Sequence, residues 1–114
     1  MDDSLSKVNY WYHEAAKDNN EVALYELGKI YELDEIDGLG IVKNIIKAFE
    51  FYKKSGDKGY TEAQYKLGHF YYKGIGTDID KEKALELYML AAEKGNIDAQ
   101  NRLTFLYEHG ELNE

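Results

Sequence analysis

The sequence predicts an all-α fold: a right-handed α-α superhelix (solenoid) of antiparallel helix pairs. Three observations predict it: identical residues that recur in register, apolar stripes of helical spacing within each copy, and the absence of proline. Placing residues 38–72 beneath 74–108 matches Gly38/Gly74, Gly40/Gly76, Lys47/Lys83, Ala48/Ala84, Tyr52/Tyr88, Gly59/Gly95, Ala63/Ala99, Gln64/Gln100, Leu67/Leu103 and Tyr71/Tyr107, every pair 36 apart. An earlier copy lies 40 upstream of the middle one, with Ala23/Ala63, Leu27/Leu67, Gly28/Gly68 and Tyr31/Tyr71, the four extra residues falling in "YELDEIDG". Tyr12, Ala15 and Ala16 stand 76 before Tyr88, Ala91 and Ala92, which keeps the same register.

Six helices follow, near 5–18, 20–33, 43–57, 60–73, 80–93 and 96–109. The first carries Tyr12, Ala15 and Ala16, and Asn19 ends it where Gly59 and Gly95 end the later copies; a left-handed C-terminal cap favours glycine, then asparagine. The second buries Ala23, Leu27 and Tyr31. The third starts at Asn44, an N-cap for free backbone N–H groups, and places Ser55–Gly56 where another copy has paired alanines. A helical glycine costs roughly 1 kcal/mol against alanine, so the third helix is expected to be the softest. In the fourth, Ala63, Leu67 and Tyr71 recur at i, i+4 and i+8 beside Gly68. Asp80 caps the fifth, whose stripe is Ala84, Leu87, Tyr88 and Ala91. The sixth repeats the fourth, with Thr104 in place of the helix glycine. One hairpin cannot bury its stripe alone, so the copies must stack. The chain thus divides as a single domain, 1–114: a second-type helix at 5–19, repeats at 20–59 and 60–95, and a partial repeat at 96–110.

The pattern A-x-x-x-L-G-x-x-Y, then G-x-G, then K-A-x-x-x-Y-x-x-A-A-x-x-G resembles the Sel-1-like repeat, a relative of the tetratricopeptide repeat. Ala63, Leu67, Gly68, Tyr71, Gly74, Gly76, Lys83, Ala84, Tyr88, Ala91, Ala92 and Gly95 carry it, and the likeness runs from Tyr12 to Gly110. It implies a non-catalytic adaptor that holds protein partners.

The residues exclude several other functions. With 14 Lys and Arg against 22 Asp and Glu, the chain has a formal charge of −8, which repels nucleic acid and anionic membranes. No long apolar run spans a bilayer, and "MDDSLSKVNYWYHEAAKDNN" lacks the apolar core of a signal peptide. With no cysteine, the expectation is a cytoplasmic protein without disulfides or cysteine-based zinc sites. The glycine pair in "YYKGIGTDID" precedes a helix but no G-K-[S/T], and Asp78 and Asp80 occupy the N-terminus a phosphate would need, so the turn is structural. His13, His69 and His109 form no metal-ligand spacing, and Ser4, Ser6 and Ser55 lie in no nucleophile motif. No catalytic residue, cofactor or metal is expected.

A binding face remains. Tyr12, Tyr31, Tyr52, Tyr71, Tyr88 and Tyr107 fall on the stripes and are expected in the core. Tyr10, Tyr25, Tyr60, Tyr65 and Tyr72 do not. On the fourth helix Glu62, Tyr65, His69 and Tyr72 lie opposite the stripe, on the side that lines the concave groove of tetratricopeptide-like solenoids. Their equivalents are Val22, Tyr25, Lys29 and Glu32 on the second helix and Asp98, Asn101, Phe105 and Glu108 on the sixth. Tyr25, Lys29, Glu32, Glu62, Tyr65, His69, Tyr72, Asn101 and Phe105 are the candidate groove for a peptide or helix of a partner protein, with Tyr25 and Tyr65 expected to be dispensable for folding. A second candidate is the acidic insertion Glu32, Asp34, Glu35 and Asp37, facing a basic partner. The alternative function is a self-associating module, or a segment of a longer array attached to other domains, joined through uncapped ends where Phe105 or Leu106 is left partly exposed.

Overall fold

The computed structural model describes residues 4–33 and 44–110. Among them stand six helices and no strand: α1 Ser4–Ala16, α2 Glu21–Glu32, α3 Ile45–Asp57, α4 Thr61–Lys73, α5 Lys81–Glu93 and α6 Ile97–Glu108. The expected boundaries agree to within two residues at each end. Short polar side chains start the helices by accepting an orphan backbone N–H. Asn20 accepts from Ala23 (2.9 Å), Asn44 from Lys47 (3.0 Å), Asp80 from Lys83 (3.0 Å) and Asn96 from Ala99 (2.7 Å). Only α4 starts on a residue, Tyr60, that makes no side-chain cap among these helices' described N-caps.

The turns follow the register. Asn19, Gly59 and Gly95 all have positive φ after α1, α3 and α5. In the glycine pair, Gly74 (φ 73°) and Gly76 (φ 71°) close α4, with the Gly74 and Ile75 N–H groups donating to the Phe70 carbonyl at 2.8 and 2.9 Å. A Cβ on Gly76 would stand 2.9 Å from the Ile45 carbonyl oxygen, so the turn is also pressed against the start of α3. Its twin at Gly38 and Gly40 lies outside the described residues, as do Asp34, Glu35 and Asp37 of the acidic insertion. The insertion nonetheless leaves the pairing intact: Asn44 N–H donates to the Tyr31 carbonyl (2.7 Å) as Asp80 N–H donates to that of Tyr71 (2.9 Å).

The helices pack chiefly on their sequence neighbours, giving an elongated body 53 × 25 × 22 Å. Two clusters stand out among the buried described residues. Ala48, Tyr52, Leu67, Phe70 and Leu87 form one; Ala84, Tyr88 and Leu106 form the other; Tyr71 packs against both. Helix glycines on α2 and α4 are sockets for the tyrosines of the following helix. A Cβ on Gly28 would meet the Tyr52 ring at 2.6 Å, and one on Gly68 would meet the Tyr88 ring at 3.0 Å. Polar ties act within and between repeats: Ser55 Oγ donates to the Glu21 carbonyl (2.7 Å), joining α3 to α2, and Lys94 Nζ donates to that of Gly59 (2.8 Å), joining one repeat to the next.

The structure corrects the expected division of the tyrosines. Tyr52 and Tyr88 are wholly buried and Tyr12, Tyr31 and Tyr71 half-buried, but Tyr107 is 62% exposed. Among the described residues no further second-type helix stacks on α6, so nothing covers Tyr107. Leu106 is buried under α5, and it is Phe105 that stands out. Conversely, Tyr25, Tyr65 and Tyr72 are half-buried rather than free. Each flanks a buried tyrosine of the next helix, with ring centroids 5.7 Å (Tyr25–Tyr52), 5.8 Å (Tyr65–Tyr88) and 6.5 Å (Tyr72–Tyr88) apart. Aromatic pairs at these distances contribute to folding. Tyr25 and Tyr65 are therefore expected to contribute to stability, against the expectation that folding does not need them.

Candidate functional site

The first-type helices α2, α4 and α6 carry equivalent residues along one face, and three longitudinal rows follow from the register: Tyr25, Tyr65, Asn101; Glu26, Lys66, Arg102; Lys29, His69, Phe105. The α2 end is aromatic and acidic. The Tyr25 ring lies tilted against that of Tyr60 (5.2 Å), Lys29 Nζ lies 5.1 Å over the Tyr25 ring and 3.4 Å from Glu26, and burial and then Glu26 and Glu62 raise the Tyr25 hydroxyl above its ordinary pKa.

The α4/α6 end is different in sign. Tyr65, Asp98, Asn101, Arg102 and Phe105 line one open hollow of about 330 Å³. Phe105 stacks on His109 at 4.0 Å, and the Arg102 guanidinium lies 5.9 Å over the Phe105 ring. His69 is held below its usual pKa by burial first, then by the positive charges of Arg102, Lys66 and Lys73, with Glu32 opposing. The structure thus brings together Tyr65, Asn101 and Phe105 of the expected groove, with His69 beside them. Tyr25, Lys29 and Glu62 form a separate group near α2, and Tyr72 packs inward on Tyr88 with Lys81 over its ring at 4.9 Å.

Glu32 is already engaged inside the protein. Its carboxylate accepts from the buried Tyr52 hydroxyl (2.6 Å) and stands 3.0 Å from Lys66 Nζ, joining α2, α3 and α4. Two residues that matter to the face, Lys66 and Arg102, were not among the expected groove residues. The signal for them was available: they are equivalent positions in consecutive copies, and Arg102 is the chain's single arginine.

A second hollow, about 570 Å³ and mostly apolar, opens at the end of the array between Met89, Leu103, Thr104, Tyr107 and Glu108. It lies where the register would place another second-type helix.

The Sel1 repeat family model matches residues 9–20, 22–60 and 61–96. The chain belongs to the Sel1 repeat family. Proteins of this family generally mediate protein–protein interaction and are typically non-catalytic. Solved structures agree in architecture. A Sel1 repeat protein from Oxalobacter formigenes is 36% identical with a TM-score of 0.75, covering 83% of this chain and 68% of that one. A protective antigen of uropathogenic Escherichia coli strains, displaying an SLR fold, is 28% identical with a TM-score of 0.82, covering 92% of this chain and 22% of that one. Helicobacter pylori cysteine rich protein B (23% identical, TM-score 0.74, covering 89% and 71%) shares the fold. Among curated proteins, Chitin synthase regulatory factor 3 of Schizosaccharomyces pombe is 45% identical over 53 residues, which are 46% of this chain and 6% of that protein. The Sel1-repeat chain therefore spans a small part of that relative's length. Among its described residues, no helix is long and apolar enough to cross a membrane.

Proposed function

We propose that this Sel1-repeat chain is a non-catalytic adaptor that binds a peptide or helical segment of a partner protein across the concave face of α2, α4 and α6. The observation that carries the reading is the hollow in which Tyr65, Asn101, Arg102 and Phe105 converge, with Phe105 left 47% exposed. Aromatic and arginine side chains dominate binding hot spots, and a face held by stacked helices loses little ordering entropy when it is occupied. A cytoplasmic setting suits the cysteine-free sequence. The larger relative's name, a regulatory factor of chitin synthase, fits a role in holding other proteins.

Two exposed aromatics on α6 provide the test, because they face different hollows. Phe105→Ser is expected to abolish capture of binding peptides selected from a displayed library of random sequences, while Tyr107→Ser leaves it unchanged. Loss on Tyr107→Ser with binding intact on Phe105→Ser would refute the groove. That pattern would favour the second reading, in which the apolar end hollow around Met89 and Tyr107 joins copies of the chain or further repeats. Light scattering over a concentration series measures that reading directly, and a persistent monomer argues against joining of copies.

A further inference from the structure

Two consecutive repeats of this chain place the same groups around one spot, and one of the two spots lacks its carboxylate. In the first, Glu32 accepts from the Tyr52 hydroxyl at 2.6 Å and pairs with Lys66 at 3.0 Å. Moving along the register, Tyr52 becomes Tyr88, Lys66 becomes Arg102, and Glu32 becomes Tyr72. The second spot therefore has the hydroxyl and the cation, with the Tyr72 ring, 6.5 Å from that of Tyr88, in place of the acid. The consequences are visible. The Tyr88 hydroxyl is buried and makes no hydrogen bond among the described residues. Arg102 has no salt bridge among them, and its charge acts on both the Tyr88 hydroxyl and His69. A buried hydroxyl without a partner costs free energy that an acceptor would recover.

We propose that a carboxylate of an acidic partner segment is seated on Arg102 in the adjoining hollow, on the side toward the Tyr88 hydroxyl, and does there what Glu32 does in the preceding repeat. The inference rests on the groove reading above and names the chemistry of its partner. Arginine is suited to the task, since its planar fork matches a carboxylate in two parallel hydrogen bonds where lysine offers a point charge. Asn101 adds an amide and Tyr65 and Phe105 add apolar walls to the same hollow. The location is also electrostatically distinct: Lys66, Lys73 and Arg102 gather around His69 in a chain of formal charge −8. Asp98, one helical turn before Arg102 on α6, lines the same hollow, so an incoming acid is drawn to the guanidinium and kept off the start of the helix.

The probe is a displayed library of random linear peptides, selected on the wild-type chain, with the enriched peptides then made synthetically and measured by calorimetry. The expected peptides are rich in Asp and Glu, and replacing one key acid by its amide weakens binding. Arg102→Lys, which keeps the charge and loses the fork, is expected to cost about tenfold in Kd, with helicity unchanged by circular dichroism. Tyr88→Phe is expected to weaken the same peptides severalfold while the fold stands. Tyr72→Glu supplies the missing acid from within, and is expected to block binding while helicity is unchanged by circular dichroism. Peptides that need Phe105 but are neutral, or are indifferent to Arg102→Lys and Tyr72→Glu, would overturn the carboxylate site and leave the groove standing. Peptides indifferent to Phe105→Ser as well, or the recovery of no binder at all, would overturn both.

Discussion

Tyr52 and Tyr88 stand 36 residues apart, fill equivalent sockets and differ in one bond. The first hydroxyl is satisfied by Glu32 and the second has no partner among the described residues. Removing the two hydroxyls must therefore act with opposite sign. Tyr52→Phe deletes a hydrogen bond to a charged acceptor and is expected to destabilise by roughly 1.5–3 kcal/mol. Tyr88→Phe deletes an unpaired buried group, and is expected to be neutral or stabilising by up to about 1 kcal/mol. Urea midpoints compare them, and equal losses would contradict the assignment. Both hydroxyls also resist ionisation: burial, then the hydrogen bond to Glu32, pushes Tyr52 far up, and burial pushes Tyr88 up to about 12. A folded-state pKa above the unfolded value means the folded state holds the proton longer. Stability is thus fully present below pH ~10, the ordinary tyrosine value, and is lost as pH rises through the range where only the unfolded chain ionises. Urea midpoints between pH 8 and pH 12 are expected to be level and then to fall, with a shallower fall for Tyr88→Phe. The socket glycines make the complementary case. Gly28→Ala drives a Cβ into the Tyr52 ring at 2.6 Å and is expected to destabilise by about 1–3 kcal/mol.

At the scale of the element, α3 tests how far local reading carries. The sequence marks it as the softest helix because Ser55–Gly56 replace paired alanines, and the structure shows what each does there. Ser55 is wholly buried and bonds the Glu21 carbonyl at 2.7 Å, so it holds a tie to α2 that alanine cannot. Gly56 holds its tie, from Gln64 Nε2 at 3.2 Å, through a backbone carbonyl that alanine keeps, and a Cβ there would find only Gln64 and Leu67 at ordinary contact, 3.6 Å and beyond. Gly56→Ala is therefore expected to stabilise by about 0.5–1 kcal/mol, against the loss at Gly28, and calorimetric melting would show opposite shifts. The helices were legible because their caps and stripes are local: Asn44, Asp80 and the Ala–Leu–Tyr spacings act within one turn or two. The binding face was only half legible. A helical wheel drawn through Tyr65, His69 and Tyr72 finds Asn101 and Phe105 by register, but it treats the side opposite the stripe as free. It cannot show that Tyr25, Tyr65 and Tyr72 lean onto buried tyrosines of the next helix, because that contact is between elements distant in sequence. Arg102 lies one position beyond Asn101, off the row that the wheel selects. Comparing Lys66 with Arg102 across copies would have found it.

Over the whole molecule, stability is the sum of neighbour contacts along a body 53 Å long. The outer helices α1 and α6 each pack extensively on one neighbour, whereas α3 and α4 pack on two. Hydrogen exchange is expected to follow: amides of α3, α4 and α5 protected longest, those of α1 and α6 shortest. Uniform protection would show a more cooperative unit than nearest-neighbour packing produces. The same length sets out the electrostatics of the face, acidic and aromatic around Tyr25, Glu26 and Glu62, cationic around Lys66, Lys73 and Arg102. A partner segment that lay along it would meet opposite charges in sequence, and its direction would be fixed by them. The central claim is that this face, at its α4/α6 end, is where a partner binds. The most direct measurement is a heteronuclear NMR titration of the labelled chain with a library-selected peptide. The expected result is that the amides of Tyr65, His69, Asn101, Arg102 and Phe105 shift together, while those of Met89 and Tyr107 stay in place. Shifts centred on Met89 and Tyr107, with the Tyr65–Phe105 hollow unmoved, would contradict the account.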